Sequence, residues 1–279
     1  MDLRKHLKDK KRIVIKIGSS SLTHKETGDL NLMKIEKLVR VISDLKGQGK
    51  EVVLVSSGAI AAGRQALGNR KRPETVSEKQ AYAAVGQARL MMVYQKLFSE
   101  YNQTAAQVLL TKNTIIVDDS RYNAQNTFDE LLKLGTIPIV NENDTVAVEE
   151  LEEHCDGRHT SFGDNDSLSA LVAVLCGADA LLILTDIEGL YDSDPRSNPG
   201  AKLIPVVEKI DDELLRAAGG AGTSRGTGGM RSKLLAARRA TESGVHTVIL
   251  KGDRPANLYD VLEDKPLGTL FRAGGFQRR

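Results

Sequence analysis

The stretch Arg12-Ile13-Val14-Ile15-Lys16-Ile17-Gly18 decides the fold of this chain. Its β-branched apolar run lies between a charged residue and a glycine, which is typical of a strand buried on both faces in a parallel sheet. Lys16 interrupts the run one residue before the strand ends, and an ammonium group is costly to desolvate unless an anion meets it. Because ligands of open α/β sheets bind at the carboxyl ends of strands, Lys16 is a candidate ligand-binding residue. The alternative is an edge-strand lysine whose ammonium reaches solvent.

Length and composition exclude several functional classes. The chain has 279 residues, a hydrophobic share of 41% and a net charge of +2 with both signs interspersed. Only 4% of residues are aromatic, which disfavours base-stacking surfaces for nucleic acids. No apolar run is long enough to span a membrane, and the charged N-terminus does not resemble a signal peptide. We therefore expect a cytoplasmic protein that binds neither nucleic acid nor membrane.

Buried strand patterns alternate with helical patterns along the chain. Alternation of this kind predicts right-handed βαβ units and an α/β fold with a mostly parallel sheet. Asn31 is the predicted cap of the first long helix, and Ser77 is the predicted cap of a second long helix that ends near Tyr101. One side of this second helix is rich in small residues, which suits close helix packing (Ala81, Ala84, Gly86 and Ala88). Further strands are predicted at 51–55, 105–110, 137–140, 180–184 and 247–250, and further helices at 121–134, 167–176 and 229–243.

Small or polar residues follow two of these strands. In Ser56-Ser57-Gly58-Ala59, exposed amides at the start of a helix can bind an anion. An ordinary βα turn explains this segment about equally well. In Asn141-Glu142-Asn143-Asp144, the carboxylate of Asp144 can receive an ammonium group and the asparagines can bind carboxylates. The alternative for this second segment is an asparagine-rich turn.

Acidic residues mark two further positions. In Phe162-Gly163-Asp164-Asn165-Asp166, two acids flank an asparagine just before an apolar helix. One acid can cap the helix, but two exceed that need, and together they can orient lysines or hold Mg²⁺ through water. Thr185 and Asp186 end another strand, where a nucleotide would contact the sheet, although a capped turn also explains them.

The glycine-rich segment Gly226-Thr227-Gly228-Gly229-Met230-Arg231-Ser232-Lys233 precedes a helix. Its glycines allow close approach, its amides can point at a phosphate, and Lys233 lies in the first turns of the helix. The segment matches neither the P-loop pattern nor the dinucleotide-binding glycine pattern. A flexible hinge is the alternative. His154, Cys155 and His159 resemble metal ligands, but no second ligand pair lies nearby, and a solvated loop is the favoured interpretation.

Taken together, these segments resemble the amino acid kinase family, and within it the members that phosphorylate glutamate. Six motifs occur in the family's order, and the match runs from about Arg12 to Phe271. The resemblance implies a three-layer αβα sandwich formed by one domain over residues 1–279. Its N-terminal part would bind L-glutamate and its C-terminal part ATP with Mg²⁺. The reaction would transfer a phosphoryl group to the side-chain carboxylate, as the first committed step of proline synthesis.

The resemblance also assigns roles to single residues. Lys16 and Lys233 would contact the phosphates, and Asp164 would orient both lysines. Glutamate would bind to Ser57, Gly58, Ala59, Asn141, Asp144 and Asn165. ATP would lie against Lys16, Thr185, Asp186, Thr227, Gly228, Gly229, Met230, Arg231, Ser232 and Lys233.

The resemblance extends to partners and domain content. It implies a homo-oligomer (a dimer or tetramer), feedback inhibition by proline, and hand-over of the product to glutamyl 5-phosphate reductase. Many relatives carry a C-terminal PUA domain of the RNA-binding type. Here Phe271 is followed only by a short basic tail, so we expect no PUA domain.

Rival functions remain open from sequence. N-acetylglutamate or aspartate kinases of the same family share the general pattern. A non-catalytic nucleotide-binding sensor is a rival from another class, but it would be expected to lack one of the lysines or Asp164. A nicotinamide-dependent oxidoreductase is disfavoured because the glycine fingerprint is missing.

Overall fold

The computed structural model describes residues 7–69, 71, 73–111, 114, 117–146, 165–218 and 229–274. Eight strands of these residues form one sheet in the order β3-β4-β2-β1-β5-β7-β8-β6. Neighbouring strands are parallel, except for the antiparallel pair β7 and β8. The strands are β1 (Arg12–Ile17), β2 (Glu51–Ser56), β3 (Ala105–Leu110), β4 (Ile137–Glu142), β5 (Ala180–Thr185), β6 (Val206–Val207), β7 (His246–Lys251) and β8 (Thr269–Phe271).

Helices connect these strands and cover both faces of the sheet. They are α1 (Ser19–Leu22), α2 (Leu32–Gly47), α3 (Ala59–Ala66), α4 (Val76–Ser99), α5 (Asp118–Lys133), α6 (Asn165–Leu175), α7 (Asp212–Ala217), α8 (Met230–Glu242) and α9 (Asn257–Leu262). No helix among the described residues is both long and apolar enough to cross a membrane.

The alternation of side chains along β1 divides the interior into two hydrophobic cores. Ile13, Ile15 and Ile17 pack in a core that includes residues of α2, α4 and α9. Val14 packs on the opposite face, in a core formed largely by α5, α6 and α8. Because successive residues of a strand point to opposite faces, Lys16 lies on the same face as Val14. The three-layer α/β architecture with a mostly parallel sheet is therefore confirmed.

The two predicted helix caps have different outcomes. The side chain of Asn31 accepts a hydrogen bond of 3.1 Å from the amide of Lys34, so this cap is confirmed. The prediction for Ser77 is wrong, since α4 is capped by Thr75. Thr75 accepts from the amide of Glu78 while the carboxylate of Glu78 accepts from the amide of Thr75. This reciprocal pair satisfies two helix-end amides at once, which a serine inside the first turn cannot do.

The small residues of α4 do not all serve the same purpose. Gly86 is buried against α3, but Ala81, Ala84 and Ala88 are exposed, so the predicted close packing holds only for the glycine. Four short elements were not predicted, namely β6, β8, α7 and α9. Each has only two to six residues, which are too few to show a periodic pattern.

Candidate active site

Lys16 lies at the carboxyl end of the central strand β1 and is almost completely buried, with 5% of its surface exposed. Its ammonium nitrogen is 2.5 Å from Oδ1 of Asp166. The other carboxylate oxygen of Asp166 accepts a 3.0 Å hydrogen bond from Nζ of Lys233, which is also buried. One fully buried carboxylate therefore bridges two lysines that are more than two hundred residues apart in sequence.

The strand and two helix starts explain this convergence. Asp166 is the second residue of α6, and Lys233 lies in the first turn of α8. Both helices pack on the face of the sheet to which the alternation along β1 directs Lys16. The last glycine of the predicted glycine-rich segment is Gly229, whose extended backbone directly precedes α8. Lys16 and Lys233 are thus brought together as the sequence suggested.

The charges of this lysine–aspartate triad do not cancel. Burial acts to raise the pKa of Asp166, but the charges and hydrogen bonds of the two lysines outweigh it and hold that pKa below its usual range. The carboxylate is therefore ionised at neutral pH, and the triad of two ammonium groups and one carboxylate carries a net positive charge. Since an uncompensated buried charge is unfavourable, the triad is suited to an anionic ligand.

Three of the residues predicted to bind substrate form a hydrogen-bonded amide network. Nδ2 of Asn165 donates to Oγ of Ser57 at 2.7 Å and to Oδ1 of Asn141 at 3.2 Å. Nδ2 of Asn141 in turn donates to Oε1 of Gln87 at 3.0 Å. Gln87 lies on α4 and was not predicted, because a glutamine inside a helix carries no local motif.

The triad and the amide network are joined by consecutive residues of α6. Asn165 contacts the network and Asp166 contacts the lysines, so the first turn of one helix serves both clusters. The amide of Ser57 also donates to the carbonyl of Ile17 at 3.1 Å, which places Ser57 beside the end of β1. A ligand lying along these strand ends can therefore contact both clusters.

Asp144 lies two residues beyond β4 and is partly buried. Burial raises the pKa of its carboxyl group. Among the described residues none donates a hydrogen bond to Asp144 or forms an ion pair with it. A partly desolvated carboxylate of this kind is suited to an incoming cation.

The remaining predicted residues lie at neighbouring element ends. Gly58 adopts a left-handed backbone with φ of 110° and precedes α3, whose first residue is the buried Ala59. Thr185 ends β5 and donates to Oδ1 of Asp186 at 3.0 Å. Its carbonyl accepts from the amide of Gly252, just after β7. Met230, Arg231 and Ser232 form the first turn of α8 with Lys233.

Some predictions fall outside the described residues, namely those for Asp164, Thr227, Gly228, His154, Cys155 and His159. The orienting role expected of Asp164 remains untested there. Among the residues that the structure describes, the carboxylate between the two lysines belongs to Asp166. The family resemblance assigned the orienting role to Asp164. Two acids flank Asn165, and the start of α6 decides which of them faces β1.

The model of the amino acid kinase family matches residues 11–252. The chain belongs to the amino acid kinase family. The matched range includes β1, the amide network and the whole triad.

Other members of the amino acid kinase family match nearly the whole chain. Glutamate 5-kinase of Clostridium perfringens is 52% identical over 97% of this chain and 98% of its own length. Glutamate 5-kinase of Enterococcus faecalis is 48% identical over 99% of both chains. Among solved structures, UMP kinase of Bacillus anthracis superimposes with a TM-score of 0.62 at 18% identity, over 95% of this chain and 97% of its own. Isopentenyl phosphate kinase of T. acidophilum gives 0.61, also at 18%, over 94% of this chain and 100% of its own. At such identities the two structures establish the fold alone.

Proposed function

We propose that this protein transfers the γ-phosphoryl group of ATP to the side-chain carboxylate of L-glutamate. The product is L-glutamyl 5-phosphate, and the reaction opens proline synthesis. The observation that carries the proposal is the Lys16–Asp166–Lys233 triad, joined through Asn165 to a polar network suited to an amino acid. The glutamate 5-kinases that match nearly the whole chain support this choice of substrate.

The triad provides the electrostatic part of the reaction. Lys16 and Lys233 contact the phosphate oxygens, where negative charge must be neutralised between the attacking and leaving groups. Asp166 holds the two ammonium groups in place. The orienting role that the sequence suggested for Asp164 is therefore proposed for Asp166.

The acceptor needs no general base. A side-chain carboxylate is already ionised at neutral pH, so it is a competent nucleophile without losing a proton. Its oxygen forms a bond to the γ-phosphorus as the bond between that phosphorus and the β,γ-bridging oxygen breaks, and ADP leaves. The main obstacle is repulsion between the carboxylate and the triphosphate, which the net positive charge of the triad reduces.

The polar residues after β2 and β4 bind glutamate. Ser57 and the amides of Gly58 and Ala59 receive carboxylate oxygens, since hydroxyl and amide groups donate hydrogen bonds to anions. Asn141 and Asn165 complete the polar surface. Asp144 pairs with the α-ammonium group, which requires an acidic partner once it leaves water.

The residues after β5 and before α8 bind ATP. Thr185 and Asp186 contact the nucleotide from the sheet, and residues 227–233 surround its phosphates. Mg²⁺ is expected to accompany ATP. Phosphate oxygens and water would provide most of its ligands, as is usual for Mg²⁺ bound together with substrate phosphates. The ion would neutralise charge on the phosphates.

Several expectations from the family resemblance stay predictions. They are feedback inhibition by proline, assembly into a dimer or tetramer, hand-over of the product to a reductase, and a cytoplasmic location. The division into a glutamate-binding N-terminal part and an ATP-binding C-terminal part also remains a prediction. It is supported by the positions of the amide network, of Thr185 and Asp186, and of residues 229–233.

ADP release measured with ATP, Mg²⁺ and a panel of acidic amino acids tests the proposal. The panel contains L-glutamate, L-aspartate and N-acetyl-L-glutamate, each with and without hydroxylamine, which converts an acyl phosphate to a stable hydroxamate. We expect ADP and hydroxamate in equal amounts with L-glutamate. Preferential turnover of either other substrate would overturn the proposal.

A further inference from the structure

The hydrogen bonds between the three side-chain amides run in one direction: Asn165 donates to Asn141, and Asn141 donates to Gln87. Gln87 is therefore the last acceptor of the amide network. We propose that Gln87 is a positioning residue that fixes the orientation of the side-chain amides facing glutamate. This inference rests on the proposed function, because it concerns the same site. Gln87 contributes through Asn141 rather than by contact with the substrate.

The direction follows from the chemistry of each atom. Oε1 of Gln87 can only accept, so the group that Asn141 turns toward it must be Nδ2. Oδ1 of Asn141 is then left to accept from Asn165. Nδ2 of Asn165 uses its two protons on Asn141 and on Ser57. Each hydrogen bond therefore determines the orientation of the next side chain.

The result is a defined set of groups for the ligand. Oγ of Ser57 accepts from Asn165, so the hydroxyl proton remains available for a carboxylate oxygen of glutamate. The carbonyl oxygen of Asn165 accepts from no described residue and remains available for the ammonium group. The site therefore presents both a donor and an acceptor, as an amino acid requires.

Reversal of the first hydrogen bond would reverse the whole network. If residue 87 donated instead of accepting, Asn141 would turn Oδ1 toward it and Nδ2 toward Asn165. Asn165 would then have to present its carbonyl oxygen to Asn141 and to Ser57. The hydroxyl proton of Ser57 would be consumed, and the ammonium group of glutamate would meet an NH₂ group.

The surrounding contacts fix the position of α4 on both sides of Gln87. A Cβ atom on the neighbouring Gly86 would lie 1.7 Å from the carbonyl oxygen of Ala59, so the backbones of α4 and α3 are in direct contact beside Gln87. Seven residues further along α4, the buried hydroxyl of Tyr94 lies 2.8 Å from Oγ of Ser56. One face of α4 thus supports both β4, through Asn141, and the end of β2.

A pair of charged substitutions tests the direction of the network. Gln87→Glu keeps an acceptor, whereas Gln87→Lys supplies only donors. Simple electrostatics predicts the opposite ranking, because a lysine attracts anionic glutamate and a glutamate repels it. A third variant, Gln87→Met, removes the acceptor without adding charge. Its matched control is Gln95→Met, because Gln95 lies on the exposed face of α4.

KM and kcat for glutamate and KM for ATP are measured for each variant, with thermal unfolding to verify the fold. We expect KM for glutamate to rise at least about tenfold in Gln87→Met, the scale for a buried amide left unpaired. Gln87→Lys should show a larger increase than Gln87→Glu. KM for ATP should change less than about threefold in all of them, because the triad is untouched.

Two outcomes would overturn the inference: a KM for glutamate in Gln87→Met within about twofold of that of Gln95→Met, or a lower KM in Gln87→Lys than in Gln87→Glu. Calorimetric titration of glutamate gives the same ranking without relying on turnover. Failure of the wild-type protein to phosphorylate glutamate would instead refute the proposed function, since that result does not depend on Gln87.

Discussion

The ammonium nitrogen of Lys16 lies 2.5 Å from Oδ1 of Asp166, and the side chain of Asp166 has no exposed surface. Removing one member of such a buried group costs much more than removing an exposed ion pair, because the charge of its partner is left buried and uncompensated. The triad therefore affects both stability and turnover.

Asp166→Asn keeps the shape of the side chain but leaves two buried ammonium groups together. We expect it to lower the free energy of unfolding by about 3–5 kcal/mol and kcat by at least about a hundredfold. Urea unfolding and ADP release measure the two effects. Glu130→Gln is the control, because Glu130 pairs with Lys133 in an exposed ion pair worth at most about 1 kcal/mol. Equal effects of the two substitutions would contradict the assignment.

The lowered pKa of Asp166 predicts how stability depends on pH. A carboxyl group with a depressed pKa in the folded state stabilises the protein above its unfolded pKa of about 4. This contribution is lost as the pH falls through the lower folded value. The difference in unfolding free energy between wild type and Asp166→Asn should therefore shrink on acidification below about pH 4. A difference that grows toward low pH would argue against an ionised Asp166.

Asp144→Asn should separate stability from activity. Burial raises the pKa of Asp144, so its stabilising contribution is present below the unfolded pKa and is lost as the pH rises through the folded one. At neutral pH the ligand-free variant should thus be more stable than the wild type. The variant should also have a lower kcat/KM for glutamate. The decrease should correspond to a loss of about 2–4 kcal/mol of transition-state stabilisation, because the substrate's ammonium group loses its partner.

Thermal unfolding without ligand and glutamate kinetics provide both readouts for Asp144→Asn. N-acetylglutamate has no ammonium group, so the wild type should reject it. A variant with unchanged kcat/KM for glutamate would remove Asp144 from the substrate site.

Gly86→Ala should be strongly destabilising. The added Cβ would lie 1.7 Å from the carbonyl oxygen of Ala59 and 2.4 Å from the amide of Gly63, and backbone atoms cannot move aside cheaply. We expect a loss of about 3 kcal/mol or more in urea unfolding. Gly47→Ala in α2 is the matched control, because no atom lies within 4 Å of its added Cβ. It should stabilise by about 0.5–1 kcal/mol, and a similar effect of both substitutions would contradict the packing.

Most of the six-residue strands were predictable from sequence because they have buried apolar runs bounded by glycine, charged or polar residues. β1 and β2 are examples, since almost all of their side chains are buried. Lys16 and Lys233 were recognisable because a cation at a strand end or after a glycine-rich segment has few structural explanations. The short strand β8 was not, since three residues give no periodicity.

The details of the site depend on helix phase and long-range contacts, which sequence patterns do not contain. The choice between Asp164 and Asp166 depends on where α6 begins. Gln87 is separated from Asn141 by 54 residues in sequence, and its role appears only when α4 packs beside β4. Thr75 was missed as the cap of α4 because Ser77, a second hydroxyl residue near the helix start, was chosen instead.

Transfer of a heavy oxygen isotope from glutamate to phosphate tests the central claim most directly. L-Glutamate labelled in both side-chain carboxylate oxygens is incubated with the protein, ATP and Mg²⁺, and the phosphate released on hydroxylamine trapping or self-cyclisation is analysed by mass spectrometry. Both reactions attack the acyl carbon, so the bridging oxygen departs with the phosphate. The account predicts one labelled oxygen in every phosphate released. Unlabelled phosphate formed together with ADP would mean that water, and not the carboxylate, accepts the phosphoryl group.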